Sequence, residues 1–258
     1  MDLVKASAAA GVFMAAGATT YGISVLWNMP AWKHITENLT SEVYAENYKH
    51  YLVGATDENK GWWEWSLKNK LSKDKSSENE KPGFGFKDVT DNWKNLKDKC
   101  GEAYKKPKGD VVSDTTTSDK YLERDVWRYC SPSVKGKPST VADKDTEQYK
   151  SKTDVYGTTQ KTKLISTTDE SNDWFWQIQE DRFFGIGRYK GETPEGSSGI
   201  TLADDSLFHE LYESRKKYSR STVKGTCEIA YGLKSTKENG KPTATEANVL
   251  KFCSLEGK

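Results

Sequence analysis

The chain repeats itself around its cysteines. Glu123-Arg124-Asp125-Val126-Trp127-Arg128-Tyr129-Cys130-Ser131 and Glu246-Ala247-Asn248-Val249-Leu250-Lys251-Phe252-Cys253-Ser254 both read E-x-[DN]-V-[WL]-[RK]-[YF]-C-S. Upstream of each stands a C-x-x-A-Y string, Cys100-Gly101-Glu102-Ala103-Tyr104 and Cys227-Glu228-Ile229-Ala230-Tyr231, so all four cysteines occupy equivalent places in two copies. Self-similarity at this spacing constrains the fold more than any single element. A fainter correspondence sets Asp57-Glu58 and Trp63-Glu64-Trp65 against Asp169-Glu170 and Trp174-Phe175-Trp176. The offset then grows from 111 residues (Trp63 to Trp174) to 127 (Cys100 to Cys227), which puts an insertion in the second copy. Units of about 95–110 residues are too long for solenoid repeats and suit small domains.

Four cysteines allow three pairings, and self-contained copies select Cys100 with Cys130 and Cys227 with Cys253. Four reduced, buried thiols are the alternative; a zinc site lacks the paired ligand spacing it needs. The pattern within each copy is helical. Trp63, Leu67 and Leu71 fall on one face, as do Leu96, Cys100, Ala103 and Tyr104 after an N-cap expected at Asp91. Leu122, Val126 and Tyr129 predict a short helix ending at Cys130, and Thr243 to Glu246 reads as a capping box for the last helix. Leu207, Phe208, Leu211 and Tyr212 give the second copy an additional amphipathic helix, and the Thr-rich stretch 153–168 would tolerate a hairpin. The expected fold is mainly α: an N-terminal membrane segment (1–32), a first helical module (41–134), a Pro- and Lys-rich linker (135–149) and a second, related module (150–258), each module clipped by its own disulfide.

The membrane expectation comes from the amino terminus. No charged residue occurs between Ala6 and Trp32, and at about 1.5 Å per residue some 20 residues span a hydrocarbon core. The segment 6–27 reads as an uncleaved signal anchor, with a leader cut near Ala16-Gly17-Ala18 or a buried helix as alternatives. Trp27 and Trp32 would suit an interfacial belt. An export-like segment before four cysteines places the remainder in an oxidising exterior.

Composition narrows the function. With 39 basic and 38 acidic residues there is no field to attract a polyanion, and nucleic-acid binding is not expected. Only His34, His50 and His209 are present, and none belongs to a nucleophile or metal motif, so no catalytic residues, metal or cofactor are expected. Asp57, Glu58, Asp169 and Glu170 recur but fit helix starts. Gly185 to Gly191 lacks the phosphate-loop pattern. What recurs between copies is Cys, aromatic, Ala and Val, which are core and staple residues. The strings containing Trp62, Trp63, Trp65 and Trp174, Phe175, Trp176 hold more aromatic surface than one helix face can bury, so some should point outward as anchors for a partner protein or glycan. Packing between the copies is the competing use for them.

The Ala/Gly-rich leader, the polar Lys/Glu/Asp-rich body, the Trp-bearing helices and the elements Val126 to Cys130 and Val249 to Cys253 resemble the large paralogous sets of uncharacterised, membrane-anchored surface proteins of haemotropic mycoplasmas. The resemblance implies display on the exterior of a wall-less bacterium, with host-cell contact or antigenic variation as the role. It supplies no catalytic residues, and the two-module layout departs from the commoner single module. The reading is a membrane-tethered binding or antigenic protein; an exported hydrolase with Asp57, Glu58, Asp169, Glu170 or His209 in a site between the copies is the alternative.

Overall fold

The computed structural model describes residues 29–113, 119–198, 206–236 and 240–256. The described chain is mainly helical, and both expected disulfides are formed: Cys100 to Cys130 and Cys227 to Cys253, with Cα atoms 5.8 Å apart in each. The segment 6–27 lies outside the described residues, and among those described no helix is long and apolar enough to cross a membrane.

The main helices described in the first half are α1 (Lys60–Ser66), α2 (Trp93–Tyr104) and α3 (Glu123–Cys130). The second half has α4 (Asp173–Phe184), α5 (Ser206–Glu213), α6 (Val223–Tyr231) and α7 (Glu246–Cys253). Helix α2 buries Leu96, Cys100, Ala103 and Tyr104 as one stripe, and its start is set by Asn92, whose side chain accepts from the Lys94 N–H, one residue beyond the expected cap. Helix α6 is capped by Thr222 and α7 by Thr245. Thr243 does not open α7; it exchanges hydrogen bonds with Ser206 at the start of α5. Between α2 and α3 runs a two-residue parallel pair, β1 (Val111–Val112) with β2 (Tyr121–Leu122). No hairpin forms at 153–168; the stretch contains the short helix Tyr156–Thr159, and Val155, Leu164 and Ile165 make isolated bridges to Lys234, Ser254 and Thr140.

The halves carry the same polar frame. The Tyr104 hydroxyl donates to the carbonyls of Val53 (2.7 Å) and Cys130 (3.2 Å), and the Tyr231 hydroxyl to those of Ile165 (2.8 Å) and Cys253 (3.2 Å). The Val53 N–H donates to Cys130 and the Ile165 N–H to Cys253, both at 2.9 Å. Asn59 accepts from the Lys33 N–H and donates to the Lys33 and Gly54 carbonyls; Asn172 does the same with Ser139 and Ser166. Each amide clamps a loop to the base of a tryptophan helix, and buried backbone groups find their partners there.

This frame corrects the register of the tryptophan helices. Ser66 donates to the Tyr129 carbonyl and Gln179 to that of Phe252, so Ser66 and Gln179 are equivalent, as are Asn59 and Asn172. Both pairs give an offset of 113 residues (172 − 59 and 179 − 66), two more than the sequence alignment of Trp63 with Trp174. Trp62 therefore corresponds to Phe175, Trp63 to Trp176, and Trp174 to Gly61.

The expected linker is also corrected. Within 135–149, Thr140 bridges to Ile165 as His34 does to Val53, a capping box of Thr140 and Asp143 opens the helix Val141–Lys144, and Val141 and Tyr149 enter the second core. The residues from Ser139 onward thus repeat those from Lys33 onward. At the other end, Met29 is buried in the first core and Trp32 packs against both cores, so 29–32 belong to the folded body.

Candidate functional site

The six aromatic residues expected to present a binding surface are mostly interior. Trp62, Trp63 and Phe175 have no exposed surface, Trp174 and Trp176 retain only 3% and 4%, and Trp65 is half-buried. Two causes operate. Adjacent rings on one helix turn pack edge to face, as Trp62 does on Trp63 (4.7 Å) and Phe175 on Trp176 (4.9 Å), so neighbouring positions are buried by different neighbours. And the outward-facing member of the second set, Trp174, is covered by the first half.

That covering is the seam between the halves. Trp127 of α3 packs on Trp174 (centroids 6.0 Å apart), and Tyr51 packs on Phe175 (5.5 Å) and donates to the Ser254 carbonyl (3.3 Å). Arg182 of α4 lies over the Tyr51 ring and donates to the His50 carbonyl at 2.8 Å. His34 stacks obliquely near His50, 5.3 Å between centroids; burial, and secondarily the Arg182 charge, hold its imidazole below the ordinary value.

Beside the seam a groove of about 790 Å³ opens between the two halves. Met29, Trp32 and Pro132 come from the first half, and α4, the Gly187-Arg188 turn and the start of α6 from the second. Its volume is in the range of small-molecule sites. Its carboxylates are largely engaged: Asp173 with Lys224 (2.9 Å), Glu180 with Arg220 and the Val223 N–H, and Asp181 with the Gln177 amide (2.9 Å). Arg188 is different. Its guanidinium lies 5.4 Å from the centre of the Trp32 ring; desolvation pulls its proton affinity down, Tyr189 and Asp181 act in the opposite sense, and it remains a cation at neutral pH. A smaller cavity of about 380 Å³ lies between Tyr156 and the 233–246 segment.

The remaining candidates stand apart from this groove. Asp57 pairs with Lys97 (2.7 Å), Glu58 with Lys33 (2.9 Å), and Asp169 accepts from Ser139 (2.6 Å) and from the Ser171 N–H as a cap. None of these, nor Glu170 or His209, lines the groove. Among the described residues no cluster of His, Cys, Asp or Glu could hold a metal. The exposed large apolar side chains are elsewhere: Phe84 in the 76–91 loop, Ile186 after α4, Tyr218 between α5 and α6, and Ile229 on α6.

The groove was not legible in the sequence, because its walls come from separated segments. The one signal was negative: Tyr51, Trp127 and Trp174 are large aromatics where the other copy has Lys163, Leu250 and Gly61. Comparison with protein-family models, with curated proteins and with solved structures finds no match for the chain.

Proposed function

We propose that this is a membrane-tethered exterior protein, built from two tandem copies of a disulfide-clipped helical module, that binds a host protein or glycan and catalyses nothing. The observation that carries the reading is the state of the cysteines: all four are paired, each pair inside its own half and at equivalent positions, with no free thiol. Such pairs persist in oxidising compartments. The uncharged segment 6–27 supplies the tether.

The division of residues supports binding as the role. The cysteines, Ala103 and Ala230, Tyr104 and Tyr231, and Val126 and Val249, which recur between the halves, are buried, whereas Phe84 on the 76–91 loop and Ile186 on the 185–198 loop are exposed apolar side chains on segments that differ between them. A common scaffold with divergent exposed loops suits partner recognition.

The test is a peptide map of the protein from its own membranes under non-reducing conditions, together with labelling of intact cells by a membrane-impermeant amine reagent. The expected result is the two disulfide-linked peptide pairs, retention of residues 1–28 and surface labelling of the lysines. Four titratable thiols, or labelling only after lysis, would overturn the reading.

A further inference from the structure

The groove lies where the chain enters the folded body. Met29, the first described residue, is part of its wall, and Trp32 is another part. The segment 6–27 read above as a tether ends two peptide units before Met29. Two extended residues reach about 7 Å. A body joined to a membrane segment by so short a connection cannot turn an arbitrary side to the bilayer; the side carrying Met29 must lie at the level of the headgroups.

The chemistry of that side fits this position. Trp32 is half-buried, and tryptophan is enriched at the membrane–water interface. Arg188 is exposed, its guanidinium lies 5.4 Å from the centre of the Trp32 ring, and it forms no ion pair within 4 Å among the described residues, although Asp181 acts on it through space. An exposed guanidinium beside an aromatic ring and outside any ion pair can present the fork of N–H donors that phosphate oxygens accept. The acidic groups of the groove do not oppose this: Asp173 and Glu180 are matched by Lys224 and Arg220, and Asp181 is buried against the Gln177 amide. With the charges balanced, attraction to an anionic surface is not required. The partner is the phosphate that every phospholipid headgroup carries, including zwitterionic phosphatidylcholine.

We propose that the groove beside Met29 is the membrane-facing side of this protein, with Trp32 at the interface and Arg188 bonded to lipid phosphate. The proposal rests on the tether reading. It assigns the Arg188 turn and the adjoining Ile186 loop to the membrane side and leaves the Phe84 loop of the first half available to a partner.

The experiment uses the full chain reconstituted into phosphatidylcholine vesicles. Because the four native cysteines are paired, Lys190→Cys, beside the Arg188 turn, and Lys81→Cys, in the Phe84 loop, can each carry one fluorescent label. Lipid with a nitroxide on its headgroup is the quencher. The expected result is at least twofold stronger quenching at position 190 than at 81, reduced toward the position-81 level by Arg188→Gln while flotation with the vesicles is unchanged. Flotation with equal quenching at the two positions overturns the orientation and leaves the tether standing. Failure of the unsubstituted chain to float removes the tether and the orientation with it.

Discussion

Tyr104 and Tyr231 show what a recurring residue does. Each is fully buried, and each hydroxyl bridges the carbonyl of its own disulfide's second cysteine to the carbonyl of the segment paired with it, Val53 or Ile165. Burial raises both phenols well above their ordinary value, so they remain donors throughout the neutral range. Tyr104→Phe and Tyr231→Phe should each lower stability by about 1–3 kcal/mol, because two buried carbonyls lose a donor. The pH dependence has a definite sign: folded-state values raised above the unfolded phenol give stability that is complete below about pH 10 and is lost as pH rises beyond it. Urea titrations at pH 8 and pH 10.5 check this, and the Phe variants should lose less stability between the two than the parent. Lys70 shows the converse, a residue that does not recur. It stands where the second half has Phe183, and its buried ammonium donates to the Ser131 and Ser133 carbonyls at 2.7 Å beneath the rings of Trp62 and Trp65. Burial, with Arg128 nearby, pulls its proton affinity well below that of an ordinary lysine.

At the level of elements, each disulfide joins the first cysteine helix to the end of the second, closing a loop with sequence separation 30 or 26. In the chain-entropy account such loops contribute about 3–4 kcal/mol each. Replacing Cys227 and Cys253 together by Ser should therefore lower the unfolding free energy by about that amount, as read from urea titrations extrapolated to water with each protein's own m-value. The two tryptophan helices end differently. Helix α1 runs on through a π-helical turn, Leu67–Leu71, into Ser72–Lys75, whereas α4 stops at Gly185, which has φ +63° and a neighbouring Pro194 ring where a Cβ would lie. Gly185→Ala should cost about 1–2 kcal/mol from the left-handed backbone alone, measurable by the same titration. The helical type of these elements was legible in the spacing of Leu96, Cys100, Ala103 and Tyr104 or of Leu207, Phe208 and Leu211. Their ends were less so. Asp91 and Thr243 are chemically adequate caps, and only the path of the chain decided that Asn92 and Thr245 do the capping.

Across the whole molecule, two cores meet at a seam that the second core extends by taking in Tyr51 and Trp127. Trp127→Ala should be among the most damaging single changes, about 3–5 kcal/mol, since it empties the contact with Trp174 and leaves the Tyr44 hydroxyl without its indole donor. The seam should also respond to acid. With its folded value depressed, His34 is neutral in the native state, so the stability that depends on it is complete above about pH 6.5 and declines as pH falls toward the folded value. His34→Gln should flatten the stability profile between about pH 5 and 6.5; an unchanged slope would assign the acid response to other groups. What the sequence determined by itself is the content of each half: which cysteines pair, which positions recur, and that the elements are helices. Those are local or repeated constraints, visible as spacing and as identity between the copies. The tertiary structure alone decided the register of the tryptophan helices, the fate of their rings and the position of the groove. A tryptophan left over from one helix face is equally compatible with a partner and with a neighbouring domain, and the choice is made when two surfaces dock. Trp174 opposite Trp127 is buried by that docking, in a place where the other copy has glycine.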